Sequence, residues 1–167
     1  MKTPIAFVAL GSNLGDSRQI LKGAVGHLQN LSTRSLLQSS WWQTTPVDCP
    51  PDSSPFLNAV IGLQPLLGET PESLLIKLQK LEKGFGRQPK KVMNEARPLD
   101  LDLIAWGDEV RNSASLILPH PRARDRRFVL EPLSEIAPSL ILPGETKTVA
   151  QLLATLPPDP AMRRLTG

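Results

Sequence analysis

The sequence predicts an α+β fold, helices packed against a sheet, and three observations carry that expectation. Segments whose apolar residues alternate at every second position are interleaved with segments whose apolar residues recur every three to four positions, so strands and helices alternate along the chain. The 167 residues are 40% hydrophobic and 21% charged, an ordinary composition for one domain over residues 1–167 that buries its own core. Apolar runs are short, and none approaches the roughly 20 residues that cross a bilayer.

Residues 5–10 form a continuous apolar run ending in "GSNLGD", read as a first strand and a Gly/Asn turn. A helix follows, with Asp16 or Ser17 as its cap and Ile20, Leu21, Ala24, Val25, Leu28 and Leu31 on one face. Residues 34–43 read as a second strand with an aromatic end, Trp41 and Trp42. The Pro-rich stretch "TTPVDCPPDSSP" then leads to "FLNAVIGLQ", whose alternation places Leu57, Ala59, Ile61 and Leu63 on one face and Phe56, Asn58 and Val60 on the other.

Thr70 and Pro71 start a second helix, because the threonine oxygen takes an orphan amide and proline suits the first helical position. Leu74, Leu75, Leu78 and Leu81 form its apolar stripe, and Gly84 and Gly86 stop it. After a long polar loop, "RPLDLDLIAWG" at residues 97–107 reads as a strand with Leu99, Leu101, Leu103 and Ala105 on one face. Asp100, Asp102, Ile104 and Trp106 take the other. "GDE" suggests a hairpin into a further short strand, and the tail "LPPDPAMRRLTG" reads as frayed. The order is therefore β-α-β-β-α-β, the split βαβ or ferredoxin-like arrangement, with C-terminal additions.

Charge and cysteine content narrow the chemistry. Cys49 is the single cysteine, which excludes an internal disulfide framework and a Cys-rich zinc site and agrees with a reducing cytoplasm. The net charge is only +3, but Arg87, Lys90, Lys91 and Arg97 cluster before the last core strand, and Arg122, Arg124, Arg126 and Arg127 follow His120. Such clusters suit an anionic partner such as phosphate as well as plain solvated surface.

Asp100 and Asp102 lie roughly 7 Å apart on one strand face, a spacing open to arginine salt bridges or to hard cations shared with substrate phosphates. Arg97 precedes them by three residues, and its planar fork matches phosphate oxygens or a carboxylate. The stretch "GFGRQPKKVMNEARP" is long for a compact domain and, with its cations, reads as a lid. In "LPHPRARDRRFVLEPL", His120 sits between two prolines and reads as a donor to phosphate rather than a base. Phe128 on its own reads as core, whereas Phe56 beside Asn58 offers an aromatic plane plus an amide able to read a flat heterocycle. No Walker-type loop, G-x-G-x-x-G or Ser-His-Asp elbow is present.

Taken in order, "ALGSNLGD", "TTPV", "FLNAV", "LEKGFGR", "RPLDLDLI" and "LPHPRARDRRFVLEPLSEIAP" resemble the 6-hydroxymethyl-7,8-dihydropterin pyrophosphokinases of folate biosynthesis, from about Ile5 to Pro143. The resemblance implies a ferredoxin-like fold, a monomer acting on small molecules, and transfer of the terminal diphosphate of ATP to the pterin hydroxymethyl group. It implies that Asp100 and Asp102 bind two magnesium ions and, with Arg97 and His120, form the catalytic set. Gln79, Glu82, Arg87, Arg97, His120 and Arg126 match nucleotide-binding positions, and Phe56 and Phe128 match two rings that sandwich the pterin. Asn58, Thr44, Pro46 and Val47 complete that pocket.

Asn94-Glu95-Ala96 stands where many members carry Trp-Gly-Pro, and Pro89 and Met93 stand where some carry arginines, so altered loop closure is expected, with Lys90 and Lys91 as substitute cations. A pterin-binding relative with an impaired lid and a metal-dependent nucleotidyltransferase are the competing readings. An RNA-binding module fits less well, because carboxylates on the sheet face repel phosphate without metal. Neither a nucleic-acid nor a membrane partner is expected.

Overall fold

A computed structural model describes residues 4–13, 16–44, 55–85 and 98–165. The elements are β1 (Ala6–Ser12), α1 (Ser17–Gln29), β2 (Leu37–Gln38), β3 (Trp42–Thr44), β4 (Phe56–Leu63), α2 (Pro71–Gly84) and β5 (Asp100–Trp106). They continue with β6 (Arg111–Asn112), β7 (Ile117–Leu118), a 3-10 turn at Ala123–Asp125, α3 (Arg127–Ile136), α4 (Val149–Thr155) and β8 (Arg163–Arg164). The main sheet runs β5-β1-β4-β3-β8, with β2 also on β4, and its pairings are antiparallel.

Both faces of this sheet are covered. Ala6, Val8 and Leu10 of β1, Leu57, Ile61 and Leu63 of β4, and Leu101 and Leu103 of β5 pack against Leu21, Ala24 and Leu28 of α1 and Leu74 and Leu78 of α2. On the opposite face Phe7, Val60, Ile104 and Ala105 meet Val129, Leu130 and Leu133 of α3 and Val149 and Leu152 of α4. Burial on both faces explains why β1 is apolar at nearly every position rather than at every second one. Each fully buried leucine contributes about 1.5–3 kcal/mol, so the leucine stripes hold α1 and α2 to the sheet.

The helix starts follow local chemistry. Asp16 accepts the Gln19 N–H at 3.3 Å. In α2 the Thr70 hydroxyl accepts the Ser73 N–H at 3.1 Å while the Ser73 hydroxyl accepts the Thr70 N–H at 2.9 Å, a reciprocal box. Leu75 and Leu81 flank the buried stripe, as do Ile20, Val25 and Leu31 around α1.

Four expectations are revised. The strand expected over residues 34–43 is two short ones, because three residues separate Gln38 from Trp42 while only two separate their partners Ile61 and Asn58. Ser39 absorbs the extra residue: its N–H donates to Val60 O at 3.0 Å and its hydroxyl accepts the Val60 N–H at 2.9 Å. In β5, Val8 faces Leu103 but Phe7 faces Ala105, so Ile104 is an extra, bulged residue. Beyond it the alternation flips: Ala105 joins Ile104 under α3, and Trp106 joins the leucines.

The hairpin expected after "GDE" forms between β6 and β7, with Arg111 tied to Glu72 of α2 at 2.6 Å, and β6 does not fold back on β5. The tail is not frayed over its described length. Arg163 and Arg164 pair with Gln43 and Trp42, and the Leu165 N–H donates to Trp41 O at 2.8 Å.

Candidate functional site

On the face that carries α3, each of the three long strands changes along its length from apolar residues to polar or small ones. Ile104 gives way to Asp102 and Asp100 in β5, Phe7 and Ala9 to Gly11 in β1, and Val60 to Asn58 in β4. Residues directly opposite one another in antiparallel strands project from the same face. Gly11 is opposite both Asp100 and Asn58, and Asn58 is opposite Trp42, so Asp100, Gly11, Asn58 and Trp42 form one row across four strands.

Asn58 and Thr44 are buried polar residues in this region. The Asn58 amide donates from Nδ2 to Thr44 Oγ1 at 2.9 Å, which fixes the amide's orientation and turns Oδ1 toward Gly11. Phe56, half-buried and opposite Thr44, shares the face with Asn58. Trp42 is held from α3: its indole N–H donates to Glu135 Oε1 at 2.7 Å. The Ser40 N–H (3.2 Å, to Oε1) and hydroxyl (2.8 Å, to Oε2) donate to the same carboxylate.

Asp100 and Asp102 are both half-buried and about 7 Å apart along the strand. Their strand lies at the sheet edge, and two of its outward-facing backbone groups are taken by groups that are not strands. The Leu101 N–H, between the two aspartates, donates to Glu82 Oε2 of α2 at 2.7 Å. The carbonyl of the bulged Ile104 accepts the His120 N–H at 2.8 Å. The bulge thus fixes the backbone of His120 on the edge of the strand that bears the carboxylates.

His120 is half-buried, and its Nδ1 accepts the Arg122 N–H at 3.2 Å, which leaves the ring proton on Nε2. Burial, followed by the Arg126 and Arg122 cations, pushes the imidazolium below its usual value, while the Asp100 carboxylate pulls the other way. A neutral imidazole presenting an Nε2–H donor follows at neutral pH. Arg126 precedes α3, its guanidinium carbon 5.4 Å from the centre of the Phe128 ring. Phe128 is 37% exposed, so it is not the core residue that its type alone suggests.

The structure therefore brings Asp100, Asp102, Asn58, Thr44 and Phe56 onto neighbouring strands of one sheet, and couples His120 to Arg126 and Asp100. Gln79 is exposed on α2. Glu82, three residues later, directs one carboxylate oxygen at the β5 backbone. Arg87, Arg97, Pro46, Val47 and the lid residues lie outside the described residues. The sequence places Gly11 in a turn, yet β1 runs on to Ser12 and holds it inside the strand; its neighbours across the sheet fix its position.

The donor set fits a hard cation. Among the described residues no group of three or more His, Cys, Asp or Glu side chains could hold a metal ion. Two carboxylates suit magnesium, which keeps waters and takes phosphate oxygens in its other positions. Among the described residues no helix is long and apolar enough to cross a membrane.

The family model described as 7,8-dihydro-6-hydroxymethylpterin-pyrophosphokinase (HPPK) matches residues 7–138. The 2-amino-4-hydroxy-6-hydroxymethyldihydropteridine pyrophosphokinase of Methylorubrum extorquens is 37% identical over 154 residues, covering 92% of this chain and 94% of that protein. The protein of the same name from Haemophilus influenzae is 37% identical over 140 residues, 83% of this chain and 85% of its own. Among solved structures, a Plasmodium falciparum HPPK-DHPS triple mutant with pteroate superposes with a TM-score of 0.69 at 15% identity, covering 92% of this chain and 43% of that one. An HPPK-DHPS in complex with substrates gives 0.70 at 10% identity, covering 93% and 45%. The chain spans less than half of either solved chain, and at these identities the likeness speaks to the fold. With a family model matched over most of its length and relatives above a third identical across nearly their whole sequences, the chain belongs to the 7,8-dihydro-6-hydroxymethylpterin-pyrophosphokinase family.

Proposed function

We propose that the chain transfers the terminal diphosphate of ATP to the hydroxymethyl oxygen of 6-hydroxymethyl-7,8-dihydropterin, releasing AMP, as a step in folate synthesis. The observation that carries this reading is the single row in which a fixed amide, Asn58, and a carboxylate, Asp100, flank a glycine on one sheet face. Such a row can hold a flat heterocycle at one end and polyphosphate at the other. The names of the relatives agree with it. The strand order β5-β1-β4-β3, with α1 and α2 on one face, supports reading the core as ferredoxin-like and the whole chain as one domain.

In this reading Phe56 and Phe128 sandwich the pterin ring, Asn58 and Thr44 hydrogen-bond its edge, and Pro46 and Val47 complete the pocket. Gln79, Glu82, Arg87, Arg97, His120 and Arg126 serve the nucleotide, with the neutral His120 donating from Nε2 to a phosphate oxygen. Asp100 and Asp102 would hold two magnesium ions, which when bound neutralise the charge of the ATP phosphates. The hydroxymethyl oxygen attacks the β-phosphorus, the bond from that phosphorus to the α–β bridging oxygen breaks, AMP leaves with that oxygen, and the hydroxyl proton passes to water. A primary alcohol and a phosphoanhydride need alignment and charge neutralisation more than a covalent intermediate, so this chain's task is to orient them and exclude water.

The test is AMP release from ATP and magnesium, with and without the pterin. Pterin-dependent release is expected; turnover that ignores the pterin, or none at all, overturns the reading. Asp100→Asn and Asp102→Asn should each lower turnover by at least about 100-fold, since charge stabilisation of the transferring group supplies several kcal/mol. Fluorescence-detected pterin binding should survive. Wild-type turnover in either variant refutes the metal assignment.

A further inference from the structure

Two glycines lie inside central strands, and they stand there for different reasons. Neither has the left-handed backbone found at Gly68, Gly107 and Gly144, so conformation does not require glycine at either position. A Cβ at Gly62 would meet Ile5 Cγ2 at 3.1 Å, Leu37 Cδ1 at 3.2 Å and Phe7 Cε1 at 3.2 Å, all apolar side chains. Packing explains Gly62. A Cβ at Gly11 would meet Asn58 Oδ1 at 3.2 Å, Leu57 O at 3.9 Å and Phe56 Cδ1 at 4.0 Å, which are the amide and ring of the candidate pocket and one carbonyl. Glycine weakens a strand interior and often marks close approach of a ligand or another backbone.

We propose that Gly11 is a specificity-determining residue: its missing side chain leaves the passage between Asn58 and Asp100 through which the C6 arm of the pterin reaches the phosphates. The inference rests on the function proposed above. If Asn58 reads the ring edge and Asp100 faces the phosphates, the reacting hydroxyl lies between them, and Gly11 is the residue between them in the row. Two strand spacings separate the flanking backbones by about 10 Å, and a methyl group on Gly11 would stand midway between them, against the Asn58 amide. Asn58 is not free to yield, because its Nδ2 is tied to Thr44.

The experiment compares wild type with Gly11→Ala, using 6-hydroxymethyl-7,8-dihydropterin and a dihydropterin lacking the C6 substituent. Affinity for the arm-bearing ligand should fall by about tenfold or more, the usual discrimination for one methyl group, and that for the bare ring by under about threefold. Magnesium–ATP binding should stay at the wild-type level. Unchanged affinity for the arm-bearing pterin overturns the proposal, as does an equal loss for both ligands, which would mean that Gly11 only makes room for the Asn58 amide.

Should Gly11→Ala not fold, the wild-type Gly11 amide resonance decides: it should shift more with the hydroxymethyl ligand than with the bare ring, and equal shifts overturn the proposal. Wild type without pterin-dependent AMP release sinks the function and this inference together. An active wild type with an indifferent Gly11→Ala sinks this inference alone.

Discussion

Glu82→Ala separates two roles for one carboxylate. Glu82 is matched to the nucleotide site by resemblance, yet in the structure its Oε2 takes the Leu101 N–H at 2.7 Å, between the two aspartates of an edge strand. A hydrogen bond to a charged acceptor is worth about 1.5–3 kcal/mol, and the half-exposed position of Glu82 reduces this to roughly 1–2 kcal/mol. At roughly 2–4 °C per kcal/mol for a chain of this size, Glu82→Ala should melt about 2–8 °C lower. Glu82→Gln, which keeps an oxygen acceptor but not the charge, should fall between it and wild type.

Because Leu101 lies between Asp100 and Asp102, slack in its backbone also displaces both carboxylates. Misplacement by about 1 Å can cost up to about 100-fold in rate, so kcat should fall together with stability, in the same order across the two variants. The assay pairs thermal unfolding with pterin-dependent AMP release at saturating ATP. A variant of wild-type stability whose KM for ATP rises would mean that Glu82 acts on the nucleotide, and the backbone argument would then be wrong.

Thr44→Val keeps the shape of the side chain but removes the acceptor of Asn58 Nδ2. Leaving that buried donor unpaired should cost about 1–3 kcal/mol and weaken pterin binding while sparing ATP; unchanged pterin affinity in a titration would show that the amide needs no such support. His120 should titrate below its usual 6.5, and Arg126→Ala should raise it, both visible in the imidazole proton resonances. Since its pKa is depressed in the folded chain, the unfolded chain binds more protons, so the contribution of His120 to stability is complete above pH 6.5 and is lost as pH falls from there through the lower folded-state value. His120→Asn should flatten the melting profile in that range, and a folded-state value at or above 6.5 would contradict the electrostatic account.

Much of the framework was readable because it depends on neighbours in the chain. Thr70 and Ser73 cap α2 through atoms three residues apart, and the stripes of α1 and α2 follow from helical period. The shared face of Phe56 and Asn58, and that of Asp100 and Asp102, follow from strand period. What failed depends on partners far along the chain. "LIAW" is apolar at every position, so nothing local reveals that Ile104 is the extra residue; the register with Phe7 and Val8 decides it. Pro132 interrupts the pattern that Val129, Leu130 and Leu133 would otherwise announce as α3, because packing against Phe7 and Val60 outweighs the lost backbone hydrogen bond. Gly11 and Ser12 read as a turn until β4 pairs with both and β5 with Gly11.

The edge position of β5 joins these observations. An edge strand exposes unpaired N–H and C=O groups that invite another strand, and proteins cover or bend such edges. Here the cover comes from groups that belong to the candidate site. Glu82 takes the N–H of Leu101, and His120 donates its N–H to the carbonyl that the Ile104 bulge turns outward. A regular strand with a neighbour in these positions would have left no place for the α2 carboxylate or the imidazole loop beside Asp100 and Asp102. The irregularity that defeats simple alternation at Ile104 is thus what fixes the backbone of His120 beside the strand of carboxylates, so the bulge is part of the candidate site rather than a defect in the sheet.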